Sequence, residues 1–165
     1  MEKSKTSRDS YTEQVQVLTQ STMNGNNRLF GGHLMEWIDL VAVVVGRRHS
    51  NRNVTTVLVE ELEFKAPAYA NELVVLAGQI VYTGTTSMVV RVNAFTEELD
   101  GARRVINTAY LTLVALDADD KPCPVPRLVT ETEEERAEYE AARARSEQRK
   151  VQRRLREREE KNNLH

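Results

Sequence analysis

Asp39 is an acidic side chain in the middle of residues 34–45, a run that is otherwise apolar except at Glu36. Withdrawing a carboxylate from water is costly unless a hydrogen-bond donor or a cation lies close to it. The sequence therefore predicts such a partner beside Asp39. Two interpretations remain open from this pattern. Asp39 makes a structural hydrogen bond to a strand, or it acts as a general base or nucleophile in a mostly apolar cleft.

Gly31 and Gly32 precede Asp39 at a spacing that suggests a second part of a site. Glycines lack a Cβ atom, so a substrate carbonyl can approach their backbone closely, and free N–H groups at a helix N-terminus stabilise developing negative charge. On a helix beginning near Gly31, positions 32, 35, 39 and 43 share one face. Asn24, in the preceding loop, could orient a water or a carbonyl through its amide, although loop asparagines more commonly form turns.

Other kinds of catalytic site find little support in the sequence. Its three histidines, His33, His49 and His165, stand outside any G-x-S-x-G context, and no P-loop or G-x-G-x-x-G is present. The single cysteine, Cys123, excludes an intrachain disulfide, and no C-x-x-C or H-E-x-x-H spacing suggests a metal. We therefore expect no metal site and a reducing compartment.

The bulk composition fits one domain of ordinary size with a tail. The chain has 165 residues, of which 40% are hydrophobic, and its formal net charge of −2 gives no indication of a nucleic-acid or membrane partner. The N-terminus is polar without an apolar segment, and no apolar stretch approaches the ~18 residues of a spanning helix. We expect a cytoplasmic protein.

The periodicity of apolar residues predicts an α+β fold. Residues 13–20 alternate like a half-buried strand, and Gly31 begins a long helix, although its β-branched residues would also suit a buried strand. A helix this apolar must be covered on most sides. Four long strand-like runs follow, which predict an antiparallel meander, twisted and wrapped around the helix: 54–64, 72–83, 87–98 and 103–117.

The composition changes abruptly near Thr130. Residues 131–140 hold six glutamates against one arginine, whereas residues 143–158 hold eight basic residues against two glutamates. A possible capping box of Thr130 and Glu133 and the order of acids before bases predict a helix. This tail is interpreted either as a solvated arm or as a basic arm that reaches bound phosphates or a neighbouring subunit.

Several motifs together resemble the hotdog-fold acyl-CoA thioesterases, specifically the bacterial acyl-CoA hydrolases related to the mammalian cytosolic enzymes. The resemblance covers residues 13–128, between a polar lead of residues 1–12 and a charged tail of residues 129–165. The family pattern has a glycine where this chain has Asn27, and asparagine also tolerates a left-handed backbone. The motifs are Asn24, Phe30-Gly31-Gly32, Met35-x-x-Ile38-Asp39, Thr56 with Phe64-x-x-Pro67, Thr83-Gly84-x-x-Ser87-Met88, and Val114-Ala115-Leu116-Asp117 with Pro124-Val125-Pro126-Arg127.

The resemblance implies hydrolysis of acyl-CoA to a free acid and CoA, without a metal or redox cofactor. It assigns catalysis to Asp39, as general base or nucleophile, and to Asn24 of a partner subunit. It further implies a dimer at minimum and, as in the family, a hexamer made of three dimers. The other expected site residues are Gly31 and Gly32 for carbonyl polarisation, Gly84, Thr85, Thr86 and Ser87 for CoA binding, and Met35 and Phe64 for the acyl pocket.

Three alternatives compete with this hypothesis. The first is a non-catalytic acyl-CoA or nucleotide sensor with the same fold, which the intact Asn24 and Asp39 argue against. The second is a hotdog dehydratase or hydratase, which needs a catalytic histidine, but neither His33 nor His49 has a D-x-x-x-x-H context. The third is an assembly protein that works through its tail. Residues 84–87 could equally be a simple bend between two strands.

Overall fold

The computed structural model describes residues 3–163 of the chain, while Met1, Glu2, Leu164 and His165 lie outside the described residues. The chain divides into two compact units, residues 1–129 and residues 130–165. The first unit holds two short 3₁₀ helices, Ser7–Asp9 and Gln20–Thr22, with one α-helix and seven strands: β1 (Ser4–Thr6), β2 (Thr12–Val17), α1 (Gly31–Ser50), β3 (Asn53–Phe64), β4 (Leu73–Thr83), β5 (Ser87–Glu97), β6 (Arg103–Leu116) and β7 (Arg127–Val129). The second unit consists of helix α2 (Glu133–Asn163) and the residues from Thr130 that lead into it.

Helix α1 forms where the sequence predicted a helix despite its β-branched residues. Ile38, Val41 and Val45 are buried and recur at helical spacing, so one face of the helix packs on the sheet. The helix ends at Asn51, whose backbone is left-handed at φ 55° and whose N–H donates to the Arg47 carbonyl at 2.8 Å. Basic residues in the last turn complement the helix dipole.

The prediction that α1 is covered on most sides is wrong within one chain. Met35, Leu40 and Val44 are 47%, 49% and 37% exposed, so apolar side chains on both flanks of the helix and on the side away from the core remain open. The reason is that a single curled sheet can cover only one side of a helix. An apolar face of this kind is typical of a surface that another chain covers.

The five-stranded sheet has the order β2-β4-β5-β6-β3, and every neighbouring pair is antiparallel. The predicted strands and their antiparallel pairing are confirmed, but the simple meander is wrong because β3 pairs with β6 and not with β4. The connection of residues 65–72 is long enough for this, since eight extended residues reach ~26 Å and the three strand spacings to β4 need only ~14 Å.

Several irregularities bend the sheet around α1. Register shifts interrupt three of the strand pairs, for example between Thr56 and Leu58 on β3 and between Ile80 and Tyr82 on β4. Gly78 lets α1 approach β4, because a Cβ atom there would lie 2.6 Å from Val41 Cγ1 and 2.9 Å from Val45 Cγ2. The core therefore lies between the helix and the concave face of the sheet.

The polar lead is more ordered than its sequence suggested. Strand β1 pairs in parallel with β7 as a separate two-stranded sheet, with Ser4 opposite Arg127. The Lys5 ammonium donates to the Arg48 carbonyl at 2.8 Å, which fastens β1 to the end of α1. This lead is thus part of the first unit.

The tail is helical as predicted, but its cap is not the predicted one. Thr132 Oγ1, and not that of Thr130, accepts the hydrogen bond from the Glu135 N–H at 3.1 Å, and the Arg136 N–H donates to the Thr132 carbonyl. The physical reason is that Thr132 and Glu135 have the same spacing as Thr130 and Glu133, so the sequence offers two equivalent caps. Arg143 pairs with Glu147 one turn later at 3.0 Å.

Candidate active site

Asp39 lies half-buried in the middle of α1, next to strand β3. The Thr56 hydroxyl donates to Asp39 Oδ1 at 2.6 Å, so the predicted hydrogen-bond partner is present and is a strand hydroxyl. No described residue donates a hydrogen bond to Oδ2. Thr56 therefore occupies one carboxylate oxygen, and the second stays available as a hydrogen-bond acceptor.

Thr56 was not among the residues to which the sequence analysis gave a role. The need of Asp39 for a donor was a signal that one must exist, but the position of that donor depends on how β3 lies against α1. The two residues are 17 positions apart, and only the packing of the helix on the edge strand brings them together. The structure thus adds Thr56 to the candidate site.

Asn24 holds its loop through a set of hydrogen bonds. Its Oδ1 accepts the N–H groups of Asn26 at 2.9 Å and Arg28 at 3.2 Å, and its own N–H donates to the Arg28 carbonyl at 2.7 Å. Asn27 adopts the left-handed backbone expected of it, with φ 56°. Because the oxygen is engaged and the Nδ2 amide has no acceptor among the described residues, the Asn24 side chain can still donate a hydrogen bond.

A cavity of about 340 Å³ lies beside Asn24. Its lining is mostly apolar and includes Leu29, Leu34, Phe64 and Ile106, and Asp39 is not part of it. Asn24 and Asp39 therefore do not line one cavity within a single chain. Phe64 lines this cavity, whereas Met35 does not line it and is exposed, and the acyl-pocket role of both residues stays a prediction.

The N-terminus of α1 lies next to the end of β3. The first helical hydrogen bond runs from the Leu34 N–H to the Phe30 carbonyl at 3.2 Å, which leaves the N–H groups of Gly31 and Gly32 without an acceptor inside the helix. A Cβ atom on Gly31 would lie 3.3 Å from Phe64 Cζ, and one on Gly32 would lie 2.5 Å from the Phe30 ring. The missing Cβ atoms thus let the Phe64 and Phe30 rings lie close to the start of the helix.

Residues 84–87 form the turn between β4 and β5. The Gly84 N–H donates to the Ser87 carbonyl at 2.8 Å, and the carbonyls of Thr85 and Thr86 accept the N–H groups of Val125 and Ala115, each at 3.0 Å. The segment is therefore a bend between strands, as one interpretation expected. Its role in CoA binding stays a prediction.

Away from this site, His49 is a histidine buried at the end of α1. The buried side chain donates its Nε2–H to the Pro126 carbonyl at 2.9 Å, and its Nδ1 has no hydrogen-bond partner. Burial lowers the pKa of His49, and the hydrogen bond to Pro126 opposes that effect in part. His49 stands ten positions after Asp39 at the far end of α1, so it belongs to the structure of that end.

A curled antiparallel sheet around a central helix, with a carboxylate at mid-helix and free N–H groups at the helix start, defines a hotdog-fold protein of the thioesterase type. The chain belongs to the thioesterase superfamily, whose family model matches residues 26–102.

Relatives with curated names agree with this membership. The protein YkhA of Bacillus subtilis, named an uncharacterized acyl-CoA thioester hydrolase, is 40% identical over 132 residues, which are 79% of this chain and 77% of that protein. The cytosolic acyl coenzyme A thioester hydrolase of Rattus norvegicus is 31% identical over 126 residues, which are 74% of this chain and 33% of that longer protein.

Solved structures share both the fold and the length of this chain. An apo hexameric acyl-CoA thioesterase is 34% identical, with a TM-score of 0.86 over 91% of this chain and 97% of that one. The acyl-CoA hydrolase of Staphylococcus aureus, solved with butyryl coenzyme A, coenzyme A and coenzyme A disulfide, is 26% identical with a TM-score of 0.86 over 98% and 99%. Its variants with an asparagine, an aspartate or a threonine replaced by alanine are also solved.

None of the helices among the described residues is long and apolar enough to cross a membrane.

Proposed function

We propose that this protein hydrolyses acyl-CoA thioesters to a free acid and CoA. The observation that carries the proposal is the Asp39 carboxylate, held at 2.6 Å by Thr56 and open at its second oxygen. In the Staphylococcus aureus enzyme, the three residues replaced by alanine have the same spacing along the chain as Asn24, Asp39 and Thr56 have here. That match supports a role for all three residues in one site.

In the general-base form of the mechanism, Asp39 takes a proton from a water that attacks the thioester carbonyl carbon. The C–O bond forms as the carbonyl oxygen becomes negative, and the N–H groups of Gly31 and Gly32 stabilise that charge. The C–S bond then breaks, and the sulfur leaves with the proton that Asp39 returns. Asn24 donates through Nδ2 to the water or the carbonyl oxygen.

In the nucleophilic form, Asp39 itself attacks and forms a mixed anhydride that water then hydrolyses. A single turnover in ¹⁸O-labelled water tests for the anhydride. Label in Asp39 requires an anhydride that water opens at the Asp39 carbonyl carbon, whereas the general-base form places the label only in the released acid. Neither form uses a metal, so activity should survive dialysis against a chelator.

The site is proposed to be shared between subunits. Asn24 lines a cavity from which Asp39 is absent, and the apolar side chains of Met35, Leu40 and Val44 on α1 are exposed in the single chain. Strand β3 is an edge of the sheet and also exposes Val57 and Val59. A second copy would cover these surfaces, and the hexameric structural neighbour supports three such dimers as the complete assembly. The cytosolic relative supports a cytoplasmic location.

The proposal is tested by measuring release of free thiol from acyl-CoAs of two to about twenty carbons. We expect turnover in the wild type and a loss on the order of 10² or more in the kcat of Asp39→Ala, the range expected for removal of an acid–base group. Circular dichroism and light scattering check that the variant stays folded and assembled. Absence of turnover with every substrate, together with tight acyl-CoA binding, would support the non-catalytic sensor instead.

A further inference from the structure

Helix α2 presents an exposed stripe of residues along one side. The members of this stripe, which we call the α2 seam, follow one another at alternating steps of four and three positions, the heptad spacing of a coiled coil. All of them are exposed, and they are Ala137, Ala141, Ala144, Gln148, Val151 and Leu155. We infer that the α2 seam packs against the α2 seam of a second copy of this chain, with the two helices antiparallel.

The large apolar side chains of the seam call for a helical partner. Val151 and Leu155 lie one turn apart and are 55% and 51% exposed, while residues 150–161 are otherwise charged or polar. Packing against a second helix would remove the apolar area of both side chains from water. Because a seam of alternating steps stays on one side of a supercoiled helix, its partner must run along the same length, as another helix does.

The sizes of the seam residues are complementary in the antiparallel orientation. Alanines occupy the first half of the seam, and the large apolar residues occupy the second half. In one antiparallel register, Leu155 lies opposite Ala137 of the second copy and Val151 lies opposite Ala141, so each large side chain packs against a small one. A parallel pair would place each residue opposite itself, which crowds the large side chains at one end and leaves thin alanine layers at the other.

The charges beside the seam favour the same register. It places Glu140 beside Arg154 of the second copy and Glu133 beside Lys161, and each of these contacts occurs twice by symmetry. The acidic residues 131–140 thus lie next to basic residues of the other helix. A parallel pair would instead bring the two acidic segments together, which like charges oppose.

Two like-charge contacts fall at the two-fold axis of this pair, where each residue meets its own copy. Glu147 faces Glu147, but Arg143 of the same helix already binds that carboxylate at 3.0 Å. Arg145 faces Arg145 on the other edge of the seam. Exposed charge pairs each contribute little, so this contact is a weak one that gains strength when the two copies are already held in one assembly.

Disulfide trapping tests the orientation directly. Ala137→Cys and Leu155→Cys are made in separate chains that also carry Cys123→Ser, which removes the single native thiol. The two chains are co-expressed with different tags. Mild oxidation should link one chain of each kind, because antiparallel pairing brings the two positions within disulfide reach. Like chains should stay unlinked, since each position lies about 27 Å from its own copy along the pair.

Arg153→Cys combined with Ala137→Cys is the matched control. Arg153 is 76% exposed and lies on the side of α2 away from the seam, so this combination should give no linked pair. Links only between like chains would mean that the helices pair in parallel. No more linkage than in the control would mean that a second α2 does not cover the seam. Either result would overturn the inference.

Charge reversal in the same linked system tests the register. Glu140→Arg in both chains would face Arg154 with a like charge at two symmetric contacts and should slow the linkage about fivefold, as should Arg154→Glu. Combining both substitutions restores opposite charges and should return the linkage to its original rate. A combined variant that links as slowly as either single reversal would contradict this register. These measurements need no substrate, so their failure leaves the proposed function untouched.

Discussion

The hydrogen bond from Thr56 to Asp39 allows a sharp test of the carboxylate's role. Thr56→Val keeps the shape of the side chain and removes only the hydroxyl that donates to Oδ1 at 2.6 Å. A hydrogen bond to a charged group contributes about 1.5–3 kcal/mol. If that bond orients Asp39 in the transition state, its loss lowers kcat by about 10- to 150-fold. KM should change little, because Thr56 acts through Asp39 and does not contact the nucleotide.

Thr56→Ser is the matched control, since it retains the hydroxyl at the same position and should keep kcat within about threefold of the wild type. Both variants are assayed by thiol release under saturating acyl-CoA, and urea unfolding verifies that each remains folded. The outcome that refutes the reasoning is a Thr56→Val enzyme with wild-type kcat alongside an inactive Asp39→Ala enzyme. Thr56 would then be only a structural partner of the helix.

Three further predictions concern stability and the tail. Because burial lowers the pKa of His49, the unfolded chain takes up a proton below pH ~6.5 that the folded chain binds less readily, so the free energy of unfolding should fall as pH drops below that value. Urea unfolding should show a weaker pH dependence in His49→Gln. Gly78→Ala should destabilise the fold by about 1–3 kcal/mol in the same measurement, because the new methyl would overlap Val41 and Val45. A chain ending at Thr130 should show a raised KM for acyl-CoA or a smaller oligomer by light scattering, with kcat little changed, and the KM of the intact protein should rise with salt.

For each of these three predictions, one specific result would contradict it. The same slope of stability against pH in His49→Gln and wild type would remove His49 as the cause. A Gly78→Ala protein of wild-type stability would mean that α1 does not need its close approach to β4. A truncated enzyme with unaltered KM and assembly would leave the tail as a solvated arm.

The long elements could be predicted because their signals are local. Helix α1 and strands β3–β6 each have apolar periodicity and turn residues at their ends. These signals suffice to predict whether each element is a helix or a strand and approximately where it begins and ends. The partner of β3 could not be predicted, because alternation fits any neighbour and only the packing of α1 selects β6. Strand β1 has three polar residues and no pattern of its own, so its pairing with β7 is visible only in three dimensions.

The candidate site, like the fold, could be predicted from the sequence only in part. The unusual position of Asp39 in an apolar run was evident in the sequence, and so was the need for a donor. The identity of that donor depended on the contact between α1 and β3, which sequence spacing does not reveal.

The central claim is that Asn24 of one subunit and Asp39 of another complete one site that hydrolyses acyl-CoA. The most direct measurement co-expresses Asn24→Ala and Asp39→Ala chains with different tags and assays thiol release by assemblies purified through both tags, with the rate expressed per mixed dimer. One of the two sites in each mixed dimer would carry both intact residues and the other neither. We predict that activity returns to about half the wild-type rate per dimer, because residues that act as a unit fail together. Mixed dimers as inactive as either single variant would place both residues in the same chain's site and contradict the account.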